Sequence, residues 1–377
     1  MYPMTINIKQ VKTDRDLKKF IKFPLQLYRN NPYYVPSLFT DEINTLHWDK
    51  NPAFEYSEAK YWLAFDGNKV VGRVAAILNR RHIEKWRQNY LRFSWLDFID
   101  DHRVSSGLMA AVENWAEALN FDAVHGPLGF TNLDREGLLI EGFDELATMA
   151  TLYNFPYYLN HLEQLGYSKD IDWVEYELTT PQKLDAKIVR AAQLVLKRYN
   201  LRLIIAHSKR DLLQYAPQLF QLLNQEYSHL HGTTPLSQTE IEHYTKTYLN
   251  FVHPEFVPFI LDSEDKMIGF GVVIPSLSKA LQKSRGFLFP LGWFHLLRAL
   301  RSNDRADLYL IAVKKEYQGL GVNMILMNHV CQVLNAYGMN KVETNPELET
   351  NINVQSQWKY IEKRQHKRRR CLIKYIN

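Results

Sequence analysis

One supersecondary pattern occurs twice in this 377-residue chain. "INIKQVKTDRDLKKFI", from Ile6, and "LRLIIAHSKRDLLQYA", from Leu201, each run from an alternating strand through a polar capping stretch into an apolar-periodic helix. Asp16 and Asp211 align at an offset of 195. A strand–turn–strand pattern follows in both copies, "YWLAFDGNKVVGRVAAI" from Tyr61 and "VPFILDSEDKMIGFGVVI" from Val257. Here Asp66 and Asp262 are offset by 196, and Gly72 and Gly269 by 197. An offset that drifts at the turns is the mark of a diverged duplication. The pattern predicts an α/β chain in two tandem domains, each a mixed sheet with helices against it. Residues 1–181 form the first domain and 201–377 the second, with "QKLDAKIVRAAQLVLKRYN" (182–200) as a helical connector.

The copies differ in two places. The second carries about fourteen extra residues between Ile274 and Asp307, including the apolar run "GFLFPLGWFHLLRAL". It also carries about seven more before its next helix, in "KKEYQGL". The first copy passes from the strand "RFSWLDFID" to the helix "VSSGLMAAVENWAEALNF" through the short "IDDHR". A strand, a glycine turn and a helix in that order make an anion site. Successive backbone N–H groups face one concavity, and the helix N-terminus adds partial positive charge. Gly319 and Gly321 permit the backbone angles and close approach that a pyrophosphate needs. The spacing is neither GxxxxGK[ST] nor GxGxxG, so neither a nucleotide P-loop nor a dinucleotide fold is expected.

Composition narrows the partners. The chain is 46% hydrophobic and 23% charged, with 22 Tyr and 19 Phe, which suits globular domains that bind apolar or stacking ligands. A net charge of +5 admits an anionic ligand or a membrane surface, and no nucleic-acid signature accompanies it, so no nucleic-acid partner is expected. Cys331 and Cys371 lie far apart, outside any CxxC, so neither a disulfide framework nor a metal site is expected. The first residues carry no apolar signal core, and the longest apolar run falls short of a membrane span, so the expected location is cytoplasmic.

The element order of the second copy, with "YQGLGV" at its centre, resembles the GNAT acyltransferase superfamily. Its hallmark after the fourth strand, Q/R-x-x-G-x-G/A, is carried here by Gln318, Gly319, Leu320, Gly321, Val322 and Asn323, with Asn323 where Gly or Ala is usual. The resemblance implies acyl-CoA or acetyl-CoA as cosubstrate. Its pantetheine would pair with the backbone of Ile311, Ala312 and Val313, and its pyrophosphate would sit on the turn. It also implies a general base on the fourth or fifth strand, for which Glu343 is the favoured residue, with Tyr309 at the substrate. The family's thiolate-protonating Tyr falls at Trp358 here, leaving Tyr360 as the nearby substitute. In the first copy, Asp134, Glu136 and Glu141 lie in the glycine-rich loop "GPLGFTNLDREGLLIEGFDE" and are candidates for holding the amine. "HKRRR" (His366 to Arg370) reads as a solvated basic face or a phosphate site. The expected function is N-acylation of a small-molecule or lipid amine. The alternative is a non-catalytic CoA- or lipid-binding protein. The apolar insert, flanked by Lys279, Lys283, Arg285 and Arg298, points to long acyl chains and to weak association with the inner membrane surface.

Overall fold

A computed structural model describes residues 6–249 and 252–376. The chain separates into two compact units that are not contiguous in sequence. Unit 1 comprises 1–174, 277–296 and 366–377; unit 2 comprises 175–276 and 297–365.

Unit 1 contains β1 (Ile6–Gln10), β2 (Ser57–Asp66), β3 (Lys69–Asn79), β4 (Tyr90–Phe98), β5 (Ala123–Gly126), β6 (Leu138–Glu141) and the first part of β7 (Ser168–Thr179). Unit 2 contains the rest of β7, then β8 (Arg202–Ile204), β9 (Phe259–Leu261), β10 (Met267–Pro275), β11 (Arg305–Val313), β12 (Lys341–Thr344) and β13 (Glu347–Leu348). The last strand, β14 (Lys363–Tyr375), begins in unit 2 and ends in unit 1. The path in unit 1 is β1-β2-β3-β4-β5-β14-β7, and in unit 2 β7-β12-β11-β10-β9-β8. Both are mixed sheets. The β4–β5 and β11–β12 pairs are parallel, and the hairpins are antiparallel.

The duplication is visible in the caps. The helix Asp14–Leu27 starts at Thr13, whose hydroxyl accepts from Asp16 N, and the helix Lys209–Glu226 starts at Ser208, which accepts from Asp211 N. Apolar residues then face the sheets. Phe20, Tyr61, Leu63, Ile77 and Phe130 form one core of unit 1, and Phe93, Phe98, Leu108, Val112 and Leu372 form the other. In unit 2, Ile260, Ile268, Val322 and Ile325 pack with Ala192 and Leu201.

The last of these cores gives the 182–200 segment a definite place. Its helix, Ala186–Arg198, lies in unit 2, with Val195 and Leu196 against the core that also holds Val322. The insert and the final strand pack differently from a sequential two-domain order. Residues 277–296 belong to unit 1, where Phe39 N donates to Gly286 O at 2.8 Å and the Phe39 and Phe287 rings lie 5.2 Å apart. The C-terminal half of β14 pairs with β5, Leu372 opposite Gly126 and Ile373 opposite His125. The physical reason is the continuous apolar run "CLI", which suits a strand covered on both faces and buries Cys371, Leu372 and Ile373 in unit 1.

That strand also corrects the reading of the basic run. Lys367 is 1% exposed and Arg369 is fully buried, neither a solvated face nor a phosphate cradle. Lys367 Nζ donates to Leu146 O at 2.6 Å, while Arg368 and Arg370 donate to Asp172 at 3.1 and 2.8 Å.

Candidate functional site

The turn after β11 takes the conformation that its glycines allow. Gly319 has φ of 74° and Gly321 of 89°, both left-handed, and the 15-residue helix Val322–Ala336 starts immediately after. Gly321 occupies the N-cap position, and no side chain caps the helix. Among the described residues, the N–H groups of Gly319, Gly321, Val322 and Asn323 have no protein acceptor, whereas Met324 N bonds back to Gly321 O at 3.0 Å. A Cβ at Gly319 would meet nothing within 4 Å, and one at Gly321 would meet only Val195, at 3.5 Å. The space on the Cβ side of Gly319 is therefore open, and that of Gly321 is bordered by Val195. Glu226 braces the turn: its carboxylate accepts from Lys315 N at 3.1 Å and from Gln318 Nε2 at 2.9 Å, and Gln318 Nε2 also reaches Val313 O at 2.8 Å. The hallmark glutamine thus shapes the loop instead of pointing away from it.

Beside this turn the sheet opens. β11 pairs with β12 from Arg305–Lys341 to Leu308–Thr344 and no further. Against β10 the register shifts between Val272 and Val273, so that Tyr309 is the extra residue of a bulge. Asn345 fastens the end of the opening, its backbone N–H to Leu308 O at 3.1 Å and its side chain to Tyr309 O at 2.8 Å. Beyond it, Ile311 and Val313 are half-buried and Ala312 is buried. Ala312 and Val313 pair with Phe270 and Gly269 on the β10 side. The Ile311 carbonyl accepts from Tyr227 Oη at 3.1 Å, a partner that sequence reading does not anticipate.

Glu347, just past β12, is the second feature that the sequence hid. Its Oε1 accepts from Trp358 Nε1 at 2.8 Å, and its Oε2 is buried with no hydrogen-bond partner among the described residues. Burial pushes this carboxyl up to about 7, against the downward pull of the Trp358 bond and the Lys363 charge. Burial also raises Tyr227, to about 12, and the charge of Glu347 adds to that rise, which puts the two groups within electrostatic reach. Trp358 cannot protonate a thiolate, but in the slot of the family tyrosine it orients a carboxylate whose affinity for protons suits acid–base work near neutrality. In sequence "NPELET" looks like an ordinary polar turn. The available signal was the tryptophan, whose indole N–H needs an acceptor once buried.

The other candidates lie as follows. Glu343 is 8% exposed on β12, opposite Asp307 of β11 and Glu177 of β7. Glu177 holds Arg305, Arg364 and Lys341 at 2.9, 3.1 and 3.3 Å. Burial raises its carboxyl, but the cations, Arg364 foremost, outweigh that and hold it at about 2. Tyr360 is 57% exposed, with the Lys359 ammonium 4.7 Å from its ring.

In unit 1, Asp134 accepts from Thr131 N at 3.0 Å and so shapes its own loop. Glu136 is half-buried and acts electrostatically on Arg92 and Cys371. Glu141 is exposed and pairs with Arg368 at 3.5 Å. In the insert, Phe289 is 79% exposed and Leu291 62%, and Trp293, Phe294 and Leu297 follow along the helix Gly292–Arg301. Among the described residues no helix is long and apolar enough to cross a membrane.

A mixed sheet whose parallel pair parts beside a bulge, followed by a left-handed glycine turn at a helix N-terminus, is the arrangement that the resemblance to the GNAT acyltransferases implies. Residues 216–361 match the model of the Acetyltransferase (GNAT) family. The chain is 28% identical over 368 residues to Protein YghO of Escherichia coli (strain K12), covering 96% of this chain and 93% of that protein. It is 27% identical over 360 residues to a protein named Bacterial ceramide synthase from Caulobacter vibrioides (strain NA1000 / CB15N), covering 92% and 91%. A solved tandem GNAT protein from the clavulanic acid biosynthesis pathway has the same fold, with a TM-score of 0.58 at 11% identity over 98% of both chains. The family match thus lies within the second half of the chain, and the fold of a tandem two-domain GNAT protein extends over nearly all of it.

Proposed function

We propose that the protein is an N-acyltransferase that moves an acyl group from acyl-CoA to an amine, with one acyl-CoA site, in the second of its two GNAT-like units (175–276 with 297–365). The observation that carries this reading is the Gly319–Asn323 turn. Its unpaired N–H groups and left-handed glycines lie at the end of a strand that has parted from its neighbour. In this reading the pyrophosphate rests on Gln318 to Asn323 and the pantetheine runs along Ile311 to Val313. The acyl carbonyl lies in the opening near Tyr309. Glu347 replaces Glu343 as the favoured base, because its Oε2 is buried and uncommitted while its pKa is about 7. It takes a proton from the ammonium, the freed nitrogen attacks the thioester carbon and the carbon–sulfur bond breaks. The departing thiolate takes a proton, from Tyr360 if the family's donor has shifted by two residues.

The resemblance to a protein named ceramide synthase supports a lipid amine and a long acyl chain, since a ceramide is the fatty amide of a long-chain amino alcohol. The same substrates favour work at a membrane surface. The exposed Phe289, Leu291, Trp293, Phe294 and Leu297, with Lys279, Lys283, Arg285, Arg298 and Arg301 in and around the same segment, suit an anionic bilayer.

The test is release of free CoA thiol by the full-length protein with acetyl- or myristoyl-CoA and a panel of amines that includes a long-chain amino alcohol. Amine-dependent thiol release, larger with myristoyl-CoA, is expected. CoA binding with no release for any amine would leave the non-catalytic CoA-binding reading. Sedimentation with anionic vesicles, lost in a Phe289→Ser/Leu291→Ser variant, tests the surface role separately.

A further inference from the structure

Unit 1 carries a buried cluster that acyl transfer does not use. His125 on β5 stands opposite Ile373 of β14. Cys371 lies two residues before Ile373, so its side chain projects from the same face of the sheet as His125. Asp170 is on β7, the neighbour of β14 on its other side. Three adjacent strands therefore converge an imidazole, a thiol and a carboxylate. One ligand-type atom from each lies within 4.8 Å of the other two, with His125 Nδ1 3.8 Å from Asp170 Oδ2. The imidazole and the thiol are fully buried, and the Asp170 side chain is 21% exposed.

The chemistry of this donor set is selective. One nitrogen, one sulfur and one oxygen suit a borderline-soft cation. Calcium and magnesium take oxygen donors and would reject the thiol. Ligands bound at ~2.0–2.3 Å in a tetrahedron lie roughly 3.3–3.8 Å apart, so small side-chain rotations would bring these atoms onto one ion.

We propose that His125, Asp170 and Cys371 supply three protein ligands of a zinc site that clamps β5, β7 and the C-terminal strand β14 of unit 1. This departs from the metal-free expectation drawn from cysteine spacing, because the three ligands are scattered over 247 positions of sequence and only the sheet assembles them. On binding, the Cys371 S–H bond gives way to an S–Zn bond and the proton leaves to solvent.

The experiment uses the purified full-length chain. After incubation with zinc and desalting, elemental analysis should find about one equivalent per chain. Stripping with a chelator should lower the melting temperature, and added zinc should restore it. Cobalt(II) in place of zinc should give a thiolate-to-cobalt charge-transfer band, and Cys371→Ser should lose that band. Because Cys371→Ser could fail to fold, the wild-type cobalt spectrum decides alone: no thiolate band in folded wild-type protein overturns the proposal. Zinc retained equally by wild type and a folded His125→Gln variant also overturns it, since that metal would be bound elsewhere.

Discussion

The two copies reach the same point in the fold and then diverge. In unit 1, β4 and β5 pair from Tyr90–Ala123 to Arg92–His125 and part beside a bulge in the β3–β4 pairing, as β11 and β12 part beside the bulge at Tyr309. Unit 1 fills its opening with its own chain. Leu128 N bonds to Phe93 O at 2.9 Å, Arg92 Nη1 to Gly129 O at 2.9 Å, and Asn79 Nδ2 to Phe130 O at 2.8 Å. Its following helix, His102–Ala118, is capped by Asp101, which accepts from Arg103 N at 2.9 Å. Unit 2 has a glycine at that position and, among the described residues, neither a side-chain cap nor a protein acceptor for the N–H groups of Gly321, Val322 and Asn323. One fold therefore serves two ends. Where a carboxylate caps the helix and a loop plugs the splay, the unit is sealed. Where glycine leaves both open, a phosphate-bearing ligand can enter.

The most damaging change to this contrast is Gly321→Val. It puts a β-branched residue at φ of 89° and narrows the approach to the N–H groups, so CoA affinity should fall at least ~100-fold while the circular dichroism is retained. Next is Glu347→Gln, expected to lower kcat by ~100-fold or more, with Glu343→Gln much milder. Because the base works deprotonated, wild-type kcat/KM should rise with pH through about 7, and that inflection should vanish in Glu347→Gln. An unchanged profile would remove Glu347 from the chemistry. Glu177→Ala should cost ~1–3 kcal/mol in denaturant titration at neutral pH, because it removes the carboxylate shared by Arg305, Arg364 and Lys341, whose partial exposure lets water take up part of their charge. The sign with pH follows: a carboxyl held at about 2 stabilises the fold above the ordinary carboxylate range, and that contribution is lost as pH falls toward 2. Smallest is Asp101→Ala, which removes a helix cap worth ~1 kcal/mol, lowers the melting temperature slightly and leaves CoA binding unchanged.

Local chemistry was legible in the sequence, and long-range assembly was not. The two caps, the hairpins and the glycine turn rest on residues within a few positions of one another, so spacing alone predicts them. The duplication then supplies the topology. Glu347 was invisible because its character comes from burial and from Trp358, eleven residues away across a turn. The basic run misled for the same reason. Arg369 looks solvated until a strand from the far end of the chain carries it into unit 1, where its guanidinium meets Leu152 O. That strand also means that truncation near residue 181 would strip β14 from unit 1, so the silent half is best tested in the intact chain.

Calorimetric titration of the full-length protein with CoA tests the central claim most directly. The account predicts one site per chain, lost in folded Gly321→Val and kept in Asp101→Ala. Two sites per chain, or a Gly321→Val variant that binds CoA as the wild type does, would contradict it.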